Sequence, residues 1–144
     1  MSHQIFTLQE LKRAWRGLRA ASTQIHRQNA HRLLLVYSVE CGLKAVWLKK
    51  ECRTLFTSVD ISKTGHDLNE VMKNLRFSHT LPEPLAMSAV KDERKTLLAR
   101  RNIRIGDLHQ VWRYGGVLID PPGDDTTIEA SLEKIQNWIE KELE

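Results

Sequence analysis

The chain holds only two cysteines, Cys41 and Cys52, and nothing in their placement suits a bond between them. They fall in or near one helical segment, where 11 intervening steps at 1.5 Å each leave about 16 Å between them, far beyond the reach of a disulfide. Both read as free thiols of a reducing compartment. CxxC, HExxH and clustered Cys/His spacings are missing, so no metal site is expected. GxSxG, the Walker loop and GxGxxG are missing too, which removes serine hydrolases of that type, P-loop enzymes and dinucleotide enzymes and leaves no cofactor to expect. Long apolar runs are also lacking. The best candidate, Leu33 to Leu48, is broken by Glu40 and Lys44 and falls short of the roughly 20 residues a membrane-spanning helix needs. The start, MSHQIFTLQE, has neither the basic onset nor the apolar middle of a signal peptide, so the expected location is the cytoplasm, away from any membrane. No internal repeat or low-complexity tract is visible.

What is present suits one globular domain spanning residues 1–144. With 41% apolar and 28% charged residues, a chain of 144 residues can build its own core and hide roughly 70% of the surface its unfolded form exposes. The net charge of +4 conceals an asymmetry: residues 1–119 carry 20 basic and 10 acidic groups, residues 120–144 carry 2 and 8. A basic body is compatible with a phosphate-rich partner. The acidic tail reads most simply as Asp and Glu spread over a solvated terminal helix; the alternatives are that it repels such a partner locally or pairs with the body.

Hydrophobic spacing predicts a helical protein. Thr7 with Glu10 forms a capping-box pattern ahead of Leu8, Leu11, Trp15 and Leu18, a first helix ending near Ala21 whose other face carries Lys12, Arg13, Arg16 and Arg19. From Asn29 or Ala30 to Leu48 a segment apolar on most sides predicts a central helix. Within it Glu40 and Lys44 stand at i,i+4, acid before base, which suits an intrahelical ion pair better than a catalytic acid and base. Ser58 to Gly65 reads as a turn-rich connection, His66-Asp67-Leu68 as the entry to a short helix through Val71, Met72 and Leu75, with Asp67 as its cap and His66 a packing residue. Pro84 fits the first turn of a further helix continuing through Leu85, Val90, Leu97 and Leu98. Asp107 caps a helix with Leu108, Val111 and Trp112 that Gly115-Gly116 ends, and Val117 to Ile119 allow a few strand residues. A last helix opens at Thr126-Thr127-Ile128-Glu129. The expected class is all-α, a compact bundle of five to six helices.

The stretch ARRNIRIGDLHQVWRYGG is the densest in side chains able to do chemistry, since Arg and His together can bind a phosphate and exchange protons without a metal. Residues 91–113 hold seven basic groups against three acidic ones, which makes Arg100, Arg101, Arg113 and Tyr114 candidate RNA or phosphate contacts.

Three places in the chain resemble the HEPN domains, small helical bundles that commonly dimerise and include many ribonucleases. YSVECGLKAVWL is similar to that family's central helix, TGHDLNEVMKNL to the His-Asp-Leu helix after it, and Arg104 to His109 to its motif of Arg, four to six residues, His; together they cover about Arg32 to Tyr114. Arg19 to His26, with six intervening residues, also fits the motif, but only Arg104 to His109 follows the His-Asp-Leu helix. The resemblance implies a metal-independent endoribonuclease of toxin or defence type, with Arg104 and His109 catalytic at a homodimer interface and Glu40, Lys44 and His66 supporting. RNA's own 2′-OH would attack phosphorus, leaving a 2′,3′-cyclic phosphate. It also implies RNA and an antitoxin as candidate partners. Ile105 departs from the polar residue common after the motif Arg, and a straight helix would hold Arg104 and His109 about 140° apart. Convergence therefore needs Arg104 in the turn before Asp107, or a second copy. Arg113-Tyr114 supports the other reading, a non-catalytic HEPN-like module binding nucleotide, RNA or a partner protein.

Overall fold

A computed structural model describes residues 4–144; Met1 to His3, part of the segment read for a leader, lie outside the described residues. Thr7 and Glu10 form the reciprocal cap their spacing predicts, Glu10 N donating to Thr7 Oγ1 at 3.0 Å and Thr7 N to Glu10 Oε1 at 2.9 Å. They start α1 (Leu8–Ser22). The two residues ahead of it, β1 (Phe6–Thr7), pair antiparallel with β2 (Leu55–Phe56), Phe6 opposite Phe56.

Between those strands runs α2 (Asn29–Lys50), the axis of the molecule. Leu35, Val39, Leu43, Val46 and Leu48 are all fully buried, which answers to the lack of a polar face in the sequence. Around α2 pack α1, α4 (Leu68–Asn74), α5 (Leu108–Arg113) and α6 (Asp125–Leu143). Gly42 lets α1 and α6 approach it closely: a Cβ there would lie 2.6 Å from Trp15 Cδ1 and 2.9 Å from Ile139 Cδ1. A buried triangle locks the same three helices. Trp15 Nε1 donates to Gln136 Oε1 at 2.7 Å, Gln136 Nε2 to Ser38 Oγ at 2.8 Å, and Ser38 Oγ to the Trp15 carbonyl at 3.0 Å.

The observed fold is mostly helical, with six α-helices and two small two-stranded sheets among the described residues. Two segments differ from the expectation. Ser58 to Gly65 is no mere turn but α3 (Ser58–Thr64), opened by a second reciprocal cap in which Thr57 N donates to Asp60 Oδ2 at 2.8 Å. Arg53 Nη1 donates to Asp60 Oδ1 at 2.9 Å and ties α3 back to the end of α2. The helix expected from Pro84 to Leu98 is replaced by β3 (Leu85–Met87), a charged loop, and β4 (Arg101–Ile103), paired antiparallel. Leu85 and Met87 are buried and alternate with Ala86, a period of two, whereas Leu97 and Leu98 are exposed. Ile119 adds a single bridge to Ala86. A turn of 3-10 helix (Ile105–Asp107) precedes α5, and Asp107 sits at the cap position without making a side-chain cap bond.

The acidic tail is not simply solvated. Along α6, Glu133 pairs with Arg27 at 2.5 Å, Glu129 pairs with Arg32, Glu140 with Arg19 at 3.3 Å and Glu142 with Lys50 at 3.7 Å. Asp125 turns inward, accepting from Trp112 Nε1 at 2.8 Å and from Leu118 N at 3.1 Å.

Candidate functional site

Glu40 and Lys44 lie one turn apart on α2, both buried, with Lys44 Nζ 3.0 Å from Glu40 Oε2. The ion pair expected from their spacing is present, and it has two further partners. Gly65, with φ of 52°, ends α3 in a conformation that suits glycine and aims its carbonyl at Lys44 Nζ, 3.1 Å away. The next residue, His66, brings Nδ1 to 2.9 Å from Glu40 Oε1. Asp67 then caps α4, accepting from Asn69 N at 3.0 Å and Glu70 N at 3.3 Å, which pins the short Gly65-His66-Asp67 turn. Both oxygens of Glu40 are thus engaged by cationic or ionisable groups.

From the other side α5 presents His109. Its ring centre is 4.7 Å from that of His66, tilted by 52°, and 6.2 Å from Tyr37. His109 is only 8% exposed, and its Nδ1 is sealed from solvent without a hydrogen-bond partner among the described residues. The His66 side chain is 57% exposed. With Nδ1 facing Glu40, Nε2 is the nitrogen His66 can offer to a ligand.

The electrostatics follow from these contacts. Burial pushes the Glu40 carboxyl up, but the His66 hydrogen bond and the Lys44 charge outweigh it, and the group lies below its ordinary value. The hydrogen bond to Glu40 raises His66 above the ordinary imidazole value against the opposing effect of burial. His109 moves the other way, lowered by burial and then by the neighbouring His66 charge. The pKa values of two neighbouring imidazoles are therefore pushed apart, His66 up and His109 down, the kind of separation a proton donor and a proton acceptor require.

Glu40, Lys44 and His66 form the polar wall of a cavity of about 320 Å³ whose other walls include Phe6, Leu11, Phe56 and Ile61. Cys41 also lines it. Burial, reinforced by the Glu40 charge, pushes the Cys41 thiol up to about 11, so it is no nucleophile at neutral pH.

The arginine of the sequence motif stands apart. Arg104 is exposed in extended backbone (φ −81°, ψ 154°) ahead of the 3-10 turn, while buried Ile105 anchors that turn. Among the described residues no hydrogen bond or ion pair joins Arg104 to His109. Asp107, which precedes α5, and Arg113 at its end are near enough for their charges to act on His109. Arg113 lies 5.9 Å from the ring centre of exposed Tyr114. Arg100 pairs with Asp120, and Arg101 Nε donates to the Ser88 carbonyl at 3.2 Å.

What sequence reasoning placed least well is the partnership between His66 and His109. The only signal was indirect: Glu40 on a buried helix needs compensation, and the His next to a capping Asp is well placed to reach it. No group of three or more His, Cys, Asp or Glu among the described residues is arranged to hold a metal, and no described helix is long and apolar enough to cross a membrane. The chain matches no protein-family model, and no curated protein or solved structure is significantly similar to it.

Proposed function

We propose that this chain is a metal-independent endoribonuclease of HEPN type, with a toxin or defence role, in which the His66/His109 pair moves the protons. The observation that carries the reading is that pair: two imidazole rings with centres 4.7 Å apart and opposed pKa shifts, of which His66 is braced by a buried carboxylate and lines a cavity. Neutral His109 takes the proton of the 2′-OH as its oxygen attacks phosphorus. Imidazolium His66 donates from Nε2 to the departing 5′ oxygen. The products are a 2′,3′-cyclic phosphate and a 5′-OH, and the two rings exchange protonation states in the turnover. Glu40 holds His66 in the tautomer and orientation that leaves Nε2 free, and Lys44 keeps Glu40 ionised. Arg104 supplies the phosphate contact from a second copy of the chain in a homodimer, since within one chain it makes no bond to His109. An antitoxin protein that covers this rim is the partner such an activity calls for.

The 8% exposure of His109 favours a second reading, a non-catalytic module that binds nucleotide, RNA or a partner protein. Incubating the purified protein with structured RNA in EDTA separates them. Wild type should yield cyclic-phosphate ends, and His66→Ala and His109→Ala should each cut at least about a hundredfold more slowly. No cleavage by wild type, or equal cleavage by both variants, sinks the enzyme reading; RNA binding without cleavage supports the module.

A further inference from the structure

The helix α5 has a second working side. Asp107, Gln110, Val111 and Tyr114 recur at helical spacing, and at 100° per residue His109 points about 150° away from that stripe. The stripe forms one wall of a cleft of about 560 Å³, separate from the cavity beside His66, and Arg101 of β4 stands on another. Gly116 shapes the cleft by necessity: a Cβ there would lie 2.5 Å from Met87 Cε and 2.9 Å from Val111 Cγ1.

The polar and aromatic groups around the cleft are unspent. Tyr114 is 76% exposed, with a face open to stacking and the Arg113 guanidinium 5.9 Å from its ring centre. Arg101 uses Nε on the Ser88 carbonyl and keeps both terminal nitrogens without a partner among the described residues. Asp107 caps nothing, and its carboxylate likewise has no hydrogen bond among the described residues. An exposed aromatic, a free guanidinium and a free carboxylate around a space of nucleotide size match three parts of one ligand: the face of a base, a phosphate, and the N–H edge of the base.

We infer that this cleft binds a guanosine phosphate, its base stacked on Tyr114, its N1–H and N2–H donated to Asp107, and its phosphate on Arg101. Guanine offers a carboxylate two adjacent N–H groups, whereas adenine offers only its amino group there. The ligand is either a free nucleotide or one residue of a single strand; in the second case the cleft is a specificity subsite of the proposed ribonuclease, and the inference deepens that reading.

Calorimetric titration of the full chain with GMP, AMP and a guanine-containing DNA oligonucleotide tests it, because none of these ligands has a 2′-OH next to a phosphodiester to be cut. GMP should bind at least about tenfold more tightly than AMP. Tyr114→Ala and Arg101→Ala should each weaken GMP about tenfold or more, and Asp107→Asn should abolish the preference over AMP. Both Tyr114 and Arg101 are exposed, so their variants should retain the wild-type circular dichroism and melting curve. An oligonucleotide bound far more tightly than GMP identifies a strand as the source, and equal affinity identifies the free nucleotide. No GMP binding at millimolar concentration, or undiminished binding by Tyr114→Ala, overturns the inference. GMP binding by a protein that cleaves no RNA leaves it standing while the ribonuclease reading falls.

Discussion

Glu40 accepts from two groups that respond differently to its loss. Without the carboxylate, His66 should titrate closer to the ordinary imidazole value, because the hydrogen bond to Glu40 is the largest effect raising it. If His66 is the proton donor of the proposed ribonuclease it must be protonated to act, so the alkaline limb of the cleavage rate in Glu40→Gln should move to lower pH, measurable as a displaced pH-rate profile. Lys44 is buried and has fewer options. Glu40→Ala leaves its charge with the Gly65 carbonyl and the face of Phe56 but no carboxylate, and urea unfolding should show a loss of about 3 kcal/mol, while the double variant Glu40→Leu/Lys44→Met should recover most of it. The pH dependence of stability has a second source in His79. Its pKa is lowered by burial and by Lys134, and its Nε2 is sealed without a partner among the described residues. A histidine depressed in the fold contributes stability that is present above about pH 6.5 and lost as pH falls through the lower folded value. His66 has the opposite sign: its contribution is full below about pH 6.5 and fades as pH rises through its raised folded value. His79→Leu should therefore flatten the loss of melting temperature between neutral and mildly acidic pH, and a slope identical to wild type would refute this.

At the scale of elements, α2 organises the molecule because two neighbours, α1 and α6, close on it at Gly42 and Ser38. Gly42→Ala must push apart Trp15 and Ile139, and a denaturation curve should show a loss of about 1–3 kcal/mol despite the better helix propensity of alanine. The long helices α1, α2 and α6 were legible in the sequence, since caps and apolar spacing persist over several turns and local and tertiary preferences agree. The short helix α3 was not: its cap Thr57 and its Asp60 gain their meaning from Arg53, held at the end of α2. The segment from Pro84 to Leu98 was misread because a few apolar residues fit periods of 3.6 and 2 equally well, and only pairing with Arg101–Ile103 selects the strand. The candidate site was legible in part. Glu40, Lys44, His66 and His109 were all visible as polar groups within helical segments, and the ion pair on α2 followed from spacing alone. The meeting of His66 with His109 spans the α3–α4 turn and α5, and no local rule specifies it.

For the whole molecule, the acidic α6 neutralises the basic residues at the start of α2 and leaves Arg101, Arg104 and Arg113 without ion pairs among the described residues. A consequence is testable by salt titration. Glu129→Gln/Glu133→Gln removes both carboxylate partners of Arg27 and leaves Arg32 only Asp125, so under the proposed RNA-binding role single-stranded RNA should bind more tightly at low salt, with the log–log salt slope steeper by roughly 0.7 for each arginine that gains a phosphate. An unchanged slope would show that those arginines lie off the RNA path. The sequence by itself determined the helical character, the central place of α2, the capping of α1 and α4 and the ionic pairing of Glu40 with Lys44, because each depends on residues a few positions apart. Only the tertiary structure decided that the charged tail folds back as a clamp, that Arg104 is exposed with no bond to His109, and that His109 meets His66. Those outcomes depend on how remote helices share one core, where burying apolar side chains sets the positions and the charged groups settle into whatever partners the packing leaves within reach.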